Sequence, residues 1–489
     1  MPELKGGQMK NCKSAALCFF IFALPVLLSL RPQIVDNDLW WHLSVGKWIS
    51  EHHAVPLSDP FSQTDKSWVA YSWLYELLIY HIYASCGLTG IIAYRVGMCL
   101  AMVWSVYRLL RDREQPLTFA LTGLAAVAMA YCFIQRPWQL TVLFTALTVD
   151  VLLRLREGRF GKSIWLLPLV YILWANTHIQ FVYGLFVLGL ACLPCGGWRC
   201  SLSKRCLLTG LCALATLVNP YHVRLYGVVL EYATNPGAMH YVLELRAPTF
   251  RYLQEWVVVG LGGWALFSLA RRQNWNVFDL SFLISAAIFA LRSERDCWFL
   301  ALAAVATLAG RPADLRHRLG WSGRLLVPVM LTCLIALLCW QRDISETNLR
   351  RNVAKVFPVE ATVFLTKHQC HGPLFNDFNW GGYLIWSLPQ LPVIVDGRTN
   401  LHGDERIIGL IKVWDGLPGW REDRNLACAG VVVANVETPL AYDLLYDPRF
   451  QMVHEDDVAR VFVRIDSKLA LKRCDERRVP SALPGWSDR

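Results

Sequence analysis

The sequence predicts an α-helical polytopic membrane protein with about eleven transmembrane helices, followed by a small C-terminal α/β domain. Of its 489 residues 55% are hydrophobic and only 18% are charged, a balance too apolar for an ordinary soluble domain. The charges collect in short clusters between long apolar runs as far as Trp340 and become frequent only beyond Gln341. We therefore divide the chain into a transmembrane domain, residues 1–340, and a C-terminal domain, residues 341–489. The tail after about residue 467 is expected to be disordered.

The first crossing is the apolar run over residues 14–30, which is just long enough to span a bilayer. Lysines precede it and no small-residue cleavage site follows, so we expect a retained signal anchor. Ten further apolar runs complete the predicted crossings: 88–107, 117–134, 138–153, 164–175, 181–193, 206–218, 256–270, 277–291, 298–310 and 325–340.

Lysine and arginine gather in every second loop, which is typical of short loops on the cytoplasmic side. The basic groups are Lys5/Lys10/Lys13, Arg108/Arg111/Arg113, Arg154/Arg156/Arg159/Lys162, Arg199/Lys204/Arg205, Arg271/Arg272 and Arg311/Arg316/Arg318/Arg324. The alternation requires a cytoplasmic N-terminus and puts the C-terminal domain on the extracytoplasmic side of the plasma (inner) membrane. It also accounts for the net charge of +10, so that no nucleic-acid partner is implied.

Residues 163–193 must cross twice to preserve this alternation. With about 15 residues per crossing, each helix would be only about 22 Å long, so we expect short or broken helices. The turn between them is polar. Such residues are costly towards lipid but suit a water-filled cavity; they are Asn176, Thr177, His178 and Gln180.

The first outer loop, residues 31–72, is too long for a simple connection, and long loops tend to be functional. It opens with Asp36 and Asp38, whose carboxylates in an extended backbone would lie on one side, about 7 Å apart. They could share a divalent cation such as Mg or Mn, or a cationic group. Trp40 and Trp41 follow, either as an interfacial aromatic belt or as faces that stack on a sugar ring or a lipid.

The C-terminal domain shows alternating β-rich and helical segments, which favour a small, mostly parallel sheet. The predicted strands are 373–375, 393–395, 430–434 and 461–465, and the predicted helices are 359–367, 382–387, 405–414 and 439–446. Asp396, Gly397 and Arg398 follow the second strand, at the usual ligand edge of such sheets. Without a Gly-rich phosphate loop, we expect this domain to bind, dock or stabilise.

Four neighbouring cysteines, which include one Cys-x-x-Cys pair, raise the hypothesis of a zinc site. They are Cys192, Cys195, Cys200 and Cys206. Packing explains them more simply, because they straddle a helix end with no histidine nearby.

Several short stretches resemble the membrane-embedded GT-C glycosyltransferases, in particular uncharacterised bacterial members with a DxDxWWH first-loop motif. The stretches are DNDLWWH at 36–42, QRPWQ at 135–139, NTHIQF at 176–181, NWGGYLIW at 379–386 and IVDGRTNLHGDE at 394–405. Two features depart from the commoner pattern: Asn37 separates the aspartates, and His-Ile-Gln replaces His-Gly-Gly. The tryptophan and paired aspartates of oligosaccharyltransferases are missing, so transfer to an asparagine sequon is not supported.

The resemblance implies a GT-C-like fold and an inverting transfer of a hexosyl or pentosyl group in the bacterial cell envelope. The donor would be a polyprenyl-phosphate-linked sugar and the acceptor a hydroxyl of a glycan, lipid or protein. Asp36 would be the general base. Asp38 would hold a metal or a second hydroxyl.

The same resemblance assigns roles to basic and aromatic side chains of the outer loops. Arg136, Arg292 and Arg295 would bind the leaving phosphate, or else pair with Glu294 or Asp296. The remaining substrate-binding candidates are Trp40, Trp41, His42 and His178, of which the two histidines would orient the carboxylates or cap helices.

Two other functions stay open at this point. One is a noncatalytic, membrane-anchored binding or assembly protein, and the other is a transporter or flippase of lipid-linked glycans. Convergence of the candidate residues in one outward cavity would favour the enzyme.

Overall fold

The computed structural model describes residues 2–64, 66–110, 115–159, 161–234, 242–272, 276–309 and 321–465. It divides into two compact units. The first contains residues 1–60, 64–353 and 397–408, and the second contains residues 61–63, 354–396 and 409–489. The tail predicted to be disordered after residue 467 lies outside the described residues.

The first unit is helical. Its helices are α1 (Pro2–Ser29), α2 (Asp38–His52), α3 (Trp73–Leu110), α4 (Gln115–Ala128), α5 (Trp138–Arg156), α6 (Leu167–Thr177), α7 (Phe181–Ala191), α8 (Leu202–Ala215), α9 (Arg224–Thr234), α10 (Leu253–Ala270), α11 (Val277–Arg292), α12 (Cys297–Ala309), α13 (Trp321–Gln341) and α14 (Glu346–Ala354). The core of this unit lies around α12, whose residues 297–308 are all buried. A helix that is apolar all round suits such a central place.

The chain is a multi-pass membrane protein. Among the described residues, three helices, α3, α5 and α10, are long and apolar enough to cross a membrane. A fourth span results if the bent pair Leu325–Gln341 and Glu346–Ala354 is counted as one. Large apolar side chains such as Phe20, Leu214 and Ile288 are exposed on the helix surfaces, as expected for contact with lipid. The count of about eleven crossings and the orientation stay predictions.

The structure has the short, interrupted helices predicted between residues 163 and 193. Helix α6 ends at Thr177 and α7 begins at Phe181, and each has 11 residues. Helix α3 is also interrupted, at Gly87, where φ is 61°. The Glu346 carboxylate accepts a hydrogen bond from the Leu88 backbone N–H (2.8 Å), and a Cβ at Gly87 would lie only 2.7 Å from that carboxylate.

The first outer loop contains a helix that the sequence analysis did not predict. Helix α2 begins at Asp38, and Asn37 already has helical angles (φ −63°, ψ −30°), so the extended backbone predicted there is wrong. Residues 39–46 and Ile49 are all buried on this helix. Eight consecutive residues cover every side of a helix, so α2 lies in the protein interior.

The second unit is an α/β domain around four short strands, β1 (Leu374–Asn376), β2 (Val431–Asn435), β3 (Phe450–Glu455) and β4 (Ala459–Arg464). Its helices are α15 (Val359–Lys367), α16 (Gly381–Ser387), α18 (Asp404–Trp414, shared with the first unit), α19 (Arg424–Cys428) and α20 (Pro439–Asp443). The short helix α17 (Thr399–His402) belongs to the first unit.

The sheet has the order β1-β2-β4-β3, in which only β1 and β2 are parallel. The predicted mostly parallel sheet is therefore wrong, because β3 and β4 form a hairpin on a short turn. The predicted strand 393–395 is also absent from the sheet; Val393 makes one isolated bridge, to Ser62.

Candidate functional site

Asp36 and Asp38 lie at the beginning of α2, where the chain leaves the connection from α1. Asp36 precedes the helix and Asp38 is its first residue. The Asp38 backbone N–H donates to Asp36 Oδ1 (3.2 Å). The helical start thus brings the two carboxylates to one position without the extended backbone predicted from the sequence.

One guanidinium, that of Arg136, joins three carboxylates. Arg136 lies just before α5, and its Nη2 is 2.8 Å from Asp36 Oδ1. Its Nη1 is 3.1 Å from Asp38 Oδ2 and 2.9 Å from Glu244 Oε1. A cationic group for the two aspartates was one of the predicted alternatives, and Arg136 is such a group. The divalent cation stays a prediction.

The two oxygens of Asp36 have different surroundings. Oδ1 accepts from Arg136 Nε (3.0 Å) and Nη2 and from the Asp38 backbone N–H. Oδ2 is buried and has no hydrogen-bond partner within the described residues. Burial of an acceptor without a donor costs free energy. Asp36 Oδ2 is therefore suited to accept a hydrogen bond from a bound ligand.

Asp38 is less buried than Asp36, with 22% of its side chain exposed. Burial nevertheless raises the pKa of Asp38 to about 6; Arg136 opposes this rise, and the negative charges of Asp36 and Glu244 add to it. The carboxylate is thus ionised at neutral pH and gains a proton under mildly acid conditions. A pKa near the working pH is what a general base requires.

The predicted arginines divide into two that join this cluster and one at a helix end. Arg295 Nη1 is 3.8 Å from Glu244 Oε1, so that Glu244 lies between Arg136 and Arg295. Both guanidinium groups also lie over the Trp138 ring, at 5.1 and 5.8 Å from its centroid. Arg292 is the last residue of α11 and is exposed.

Trp40, Trp41 and His42 lie inside the first unit, with exposures of 3%, 6% and 3%. His42 Nδ1 is 3.3 Å from Glu76 Oε1, and its ring lies 3.6 Å from that of Trp41. Burial, assisted by the charge of Arg136, lowers the pKa of His42 and keeps the imidazole neutral. The two tryptophans pack in the protein interior, which does not fit the interfacial belt, one of the two predicted alternatives. Stacking on a sugar ring or a lipid stays a prediction.

His178 lies in the break between α6 and α7 and is buried. Its Nδ1 is 2.8 Å from Thr141 Oγ1 on α5, a hydroxyl that also accepts from Trp174 Nε1 (3.0 Å). Asn176, at the same break, accepts from Trp73 Nε1 (2.8 Å). Beside it is an open apolar cavity of about 410 Å³ lined by Trp73, Leu74, Ile172, Leu173, Asn176, Val218, Asn219, Pro220 and His222.

The segment Gly397–Ile408 belongs to the first unit, although the sequence analysis grouped it with the C-terminal domain. A Cβ at Gly397 would lie 2.2 Å from Asp38 Oδ1. Next to it, Arg398 Nη1 is 2.6 Å from Asp59 Oδ1, with side-chain exposures of 1% and 0%. The Arg398 guanidinium also lies 4.7 Å from the Trp68 ring centroid. This segment thus forms part of the wall behind Asp38.

Glu244 is a site residue that was not predicted from the sequence, and Gly397 and Arg398 were predicted only at a ligand edge of the C-terminal domain. Nothing local in the sequence connects Glu244 to Arg136, 108 residues away. Gly397 and Arg398 lay in a recognised motif, IVDGRTNLHGDE, so the motif itself was the available indication of their importance.

The neighbouring cysteines do not gather into a metal centre in the part of the chain that the structure describes. Cys192 Sγ is 3.2 Å from Thr209 Oγ1, Cys195 Sγ is 3.7 Å from Asn276 Oδ1, and Cys200 is buried. Cys192, Cys195, Cys200 and Cys206 are free thiols.

No family model and no curated protein matches the sequence. Among solved structures, arabinofuranosyltransferase AftD from Mycobacteria aligns over 93% of this chain and 41% of its own, with 14% identity and a TM-score of 0.53. The chain has a GT-C fold. ArnT from Cupriavidus metallidurans, in a structure bound to undecaprenyl phosphate, aligns over 92% of this chain and 98% of its own, with 12% identity and a TM-score of 0.46.

The GT-C fold confirms the resemblance that the first-loop motif indicated. At 14% identity, the likeness establishes the fold and leaves the reaction to be argued from the site.

Proposed function

We propose that this protein is an inverting membrane glycosyltransferase. It transfers a sugar from a polyprenyl-phosphate donor to an acceptor hydroxyl on the extracytoplasmic face of the membrane. The observation that carries the proposal is the Asp36 carboxylate beside Arg136. Its Oδ1 has three donors, whereas its buried Oδ2 has no hydrogen-bond partner among the described residues. The GT-C fold and the first-loop motif supply the class of donor.

In the proposed reaction Asp36 Oδ2 accepts the proton of the acceptor hydroxyl as its oxygen attacks the anomeric carbon. The bond between the anomeric carbon and the phosphate oxygen breaks, and polyprenyl phosphate leaves with the electron pair. A single displacement inverts the configuration. The donors on Oδ1 hold the carboxylate in one orientation, so that the free oxygen needs little reorganisation in the transition state.

The leaving phosphate needs positive charge, for which Arg295 is the better placed arginine. Arg136 already binds three carboxylates at 2.8–3.1 Å, whereas Arg295 lies 3.8 Å from Glu244 and interacts with the charge of the neighbouring Asp296. We therefore assign Arg295 to the phosphate and Arg136 to the orientation of the carboxylates. Arg292, at the exposed end of α11, is a second phosphate candidate.

Asp38 is the rival base. Its pKa of about 6 favours proton transfer near neutral pH, but its Oδ1 faces the backbone of Gly397 and its Oδ2 faces Arg136. In the proposed scheme Asp38 orients a second hydroxyl or assists Arg136. Substituting each aspartate separately distinguishes the two assignments.

The test is an assay of purified protein in lipid, in which transfer from a panel of labelled polyprenyl-phosphate sugars to water or added acceptors is measured. Asp36→Asn preserves the shape of the side chain and its hydrogen bonds to Arg136 but removes the base. We expect transfer to fall by about 10²- to 10⁴-fold. Glu51→Gln, an exposed carboxylate in the last turn of α2, is the matched control and should retain full activity.

Three results would contradict the proposal. If no donor is bound or consumed by the wild type, the glycosyltransferase assignment fails and a binding or assembly role takes precedence. If Asp36→Asn remains folded and fully active, Asp36 is not the base. A larger loss in Asp38→Asn than in Asp36→Asn would transfer the role of base to Asp38.

A further inference from the structure

Three potential metal ligands meet in the second unit, in a region that the proposed function does not use. Glu360 lies in the first turn of α15, and His454 and Asp456 lie at the β3–β4 hairpin. One ligand atom of each residue lies within 4.8 Å of those of the other two. In the described part of the chain, this is the one group of three or more such residues with that spacing.

The hairpin fixes two of the three ligands. A β-bulge shifts the register between Met452 and His454, and bulges of this kind redirect side chains. Asp456 Oδ1 accepts from the backbone N–H groups of Val458 and Ala459, both at 2.7 Å. Those two bonds immobilise the carboxylate and leave Oδ2 facing His454 Nε2 at 3.1 Å.

Helix α15 supplies the third ligand and orients the imidazole. Phe364 lies one turn after Glu360, on the same face of the helix. Its ring stacks on that of His454, with centroids 5.0 Å apart and an interplanar angle of 23°. The stacking on Phe364 therefore holds the imidazole plane, with Nε2 directed at the Asp456 carboxylate.

We propose that Glu360, His454 and Asp456 form a zinc-binding site. One imidazole nitrogen and two carboxylate oxygens are a donor set that zinc accepts, and a neutral imidazole with two carboxylates carries two negative charges for a divalent cation. In a tetrahedral zinc site, two donor atoms at the usual zinc–ligand distances lie ~3.3 Å from each other. The distance of 3.1 Å between His454 Nε2 and Asp456 Oδ2 is close to that value. Glu360 is exposed, so its side chain can rotate to complete the set.

Three protein ligands leave the fourth zinc position for water or for an oxygen or nitrogen donor of a bound partner. The ion would connect α15 to the β3–β4 hairpin. These two elements are far apart in the sequence, since α15 ends at Lys367 and β3 begins at Phe450. Zinc would thus stabilise this unit independently of any reaction at Asp36.

The test uses the purified full chain in detergent, stripped with EDTA and then equilibrated with Zn²⁺ at fixed free concentrations. Bound zinc is measured by mass spectrometry, and affinity by competition with a chromogenic chelator. The variants are His454→Asn and Glu360→Gln, and His371→Asn, an exposed histidine of the same unit, is the matched control.

We expect the wild type and His371→Asn to bind one zinc ion more per chain than His454→Asn. Glu360→Gln, whose exposed position makes misfolding no concern, should bind that ion at least tenfold more weakly. Equal zinc content in the wild type and both cluster variants would overturn the proposal. Displacement of zinc by an equal free concentration of Mg²⁺ would overturn the assignment to zinc.

Discussion

Gly397 lies against the candidate site so closely that one added methyl group should disturb it. An alanine Cβ at this position would lie 2.2 Å from Asp38 Oδ1 and 3.4 Å from Trp41 Nε1. Real Cβ contacts are essentially never below 3.0 Å, so Asp38 or the backbone of residue 397 must move by at least 0.8 Å (3.0 − 2.2). Asp38 cannot rotate away freely, because its other oxygen is bound to Arg136 at 3.1 Å.

We therefore expect Gly397→Ala to break or lengthen the contact between Asp38 and Arg136. A displacement of about 1 Å in a catalytic arrangement can reduce the rate by about 100-fold. The assay is transfer from the donor that the wild type accepts, with kcat and KM measured separately and the Tm measured beside them. The loss should fall mainly on kcat, with the protein still folded.

Gly409→Ala is the matched control, because a Cβ at Gly409 would meet nothing within 4 Å. It should behave as wild type in both assays. If Gly397→Ala also retains wild-type kcat, the packing of residue 397 against Asp38 does not position the carboxylate for catalysis, and our account of this wall of the site is refuted.

Three further predictions concern the charged groups of the first unit. Because the pKa of Asp38 is raised from 3.8 to about 6, kcat/KM should fall as the pH decreases through 6. The variant Asp38→Asn should lack that part of the pH profile. The folded protein binds this proton more tightly than the unfolded chain, so the free energy of unfolding should increase as the pH falls from 6 towards 4. An unchanged profile in Asp38→Asn would assign the titration to another group. Arg398→Met removes the 2.6 Å partner of the buried Asp59 carboxylate and should lower the free energy of unfolding by about 3–5 kcal/mol. The Tm should fall accordingly, and adding Asp59→Leu should partly restore it. Equal Tm values in wild type and Arg398→Met would show that the pair does not determine stability. Because Arg136 already supplies a positive charge to both aspartates, wild-type transfer should survive EDTA, whereas a loss that Mg²⁺ or Mn²⁺ restores would support the predicted divalent cation.

Sequence patterns predicted the parts of the fold that depend on chain length and on neighbouring residues. The break between α6 and α7 followed from the length of chain available for two crossings and from the polar residues at 176–180. Helix α2 was missed, although Leu39 and Leu43, four residues apart, share one helical face. The Asp-x-Asp motif was instead interpreted as extended backbone.

Long-range pairing explains what the sequence analysis missed. Val393–Val395 has the composition of a strand, but a strand forms only with a partner, and β2 pairs with β1 and β4 instead. Similarly, the motif indicated that Asp36 and Arg136 mattered but not that they are bonded, and nothing indicated that Glu244 would complete the cluster. Such contacts depend on how helix ends are arranged in space.

The first unit includes residues 397–408, which are synthesised after residues 354–396 of the second unit. Asp59 is completely buried, and its ion-pair partner Arg398 follows 339 residues later in the chain. A ribosome releases Asp59 long before Arg398 exists, so this ion pair is absent while the first helices are inserted. The contact between the first outer loop and residues 397–408 forms only after the segment containing Arg398 has been synthesised. Closure of this wall beside Asp38 is therefore a late step in biosynthesis.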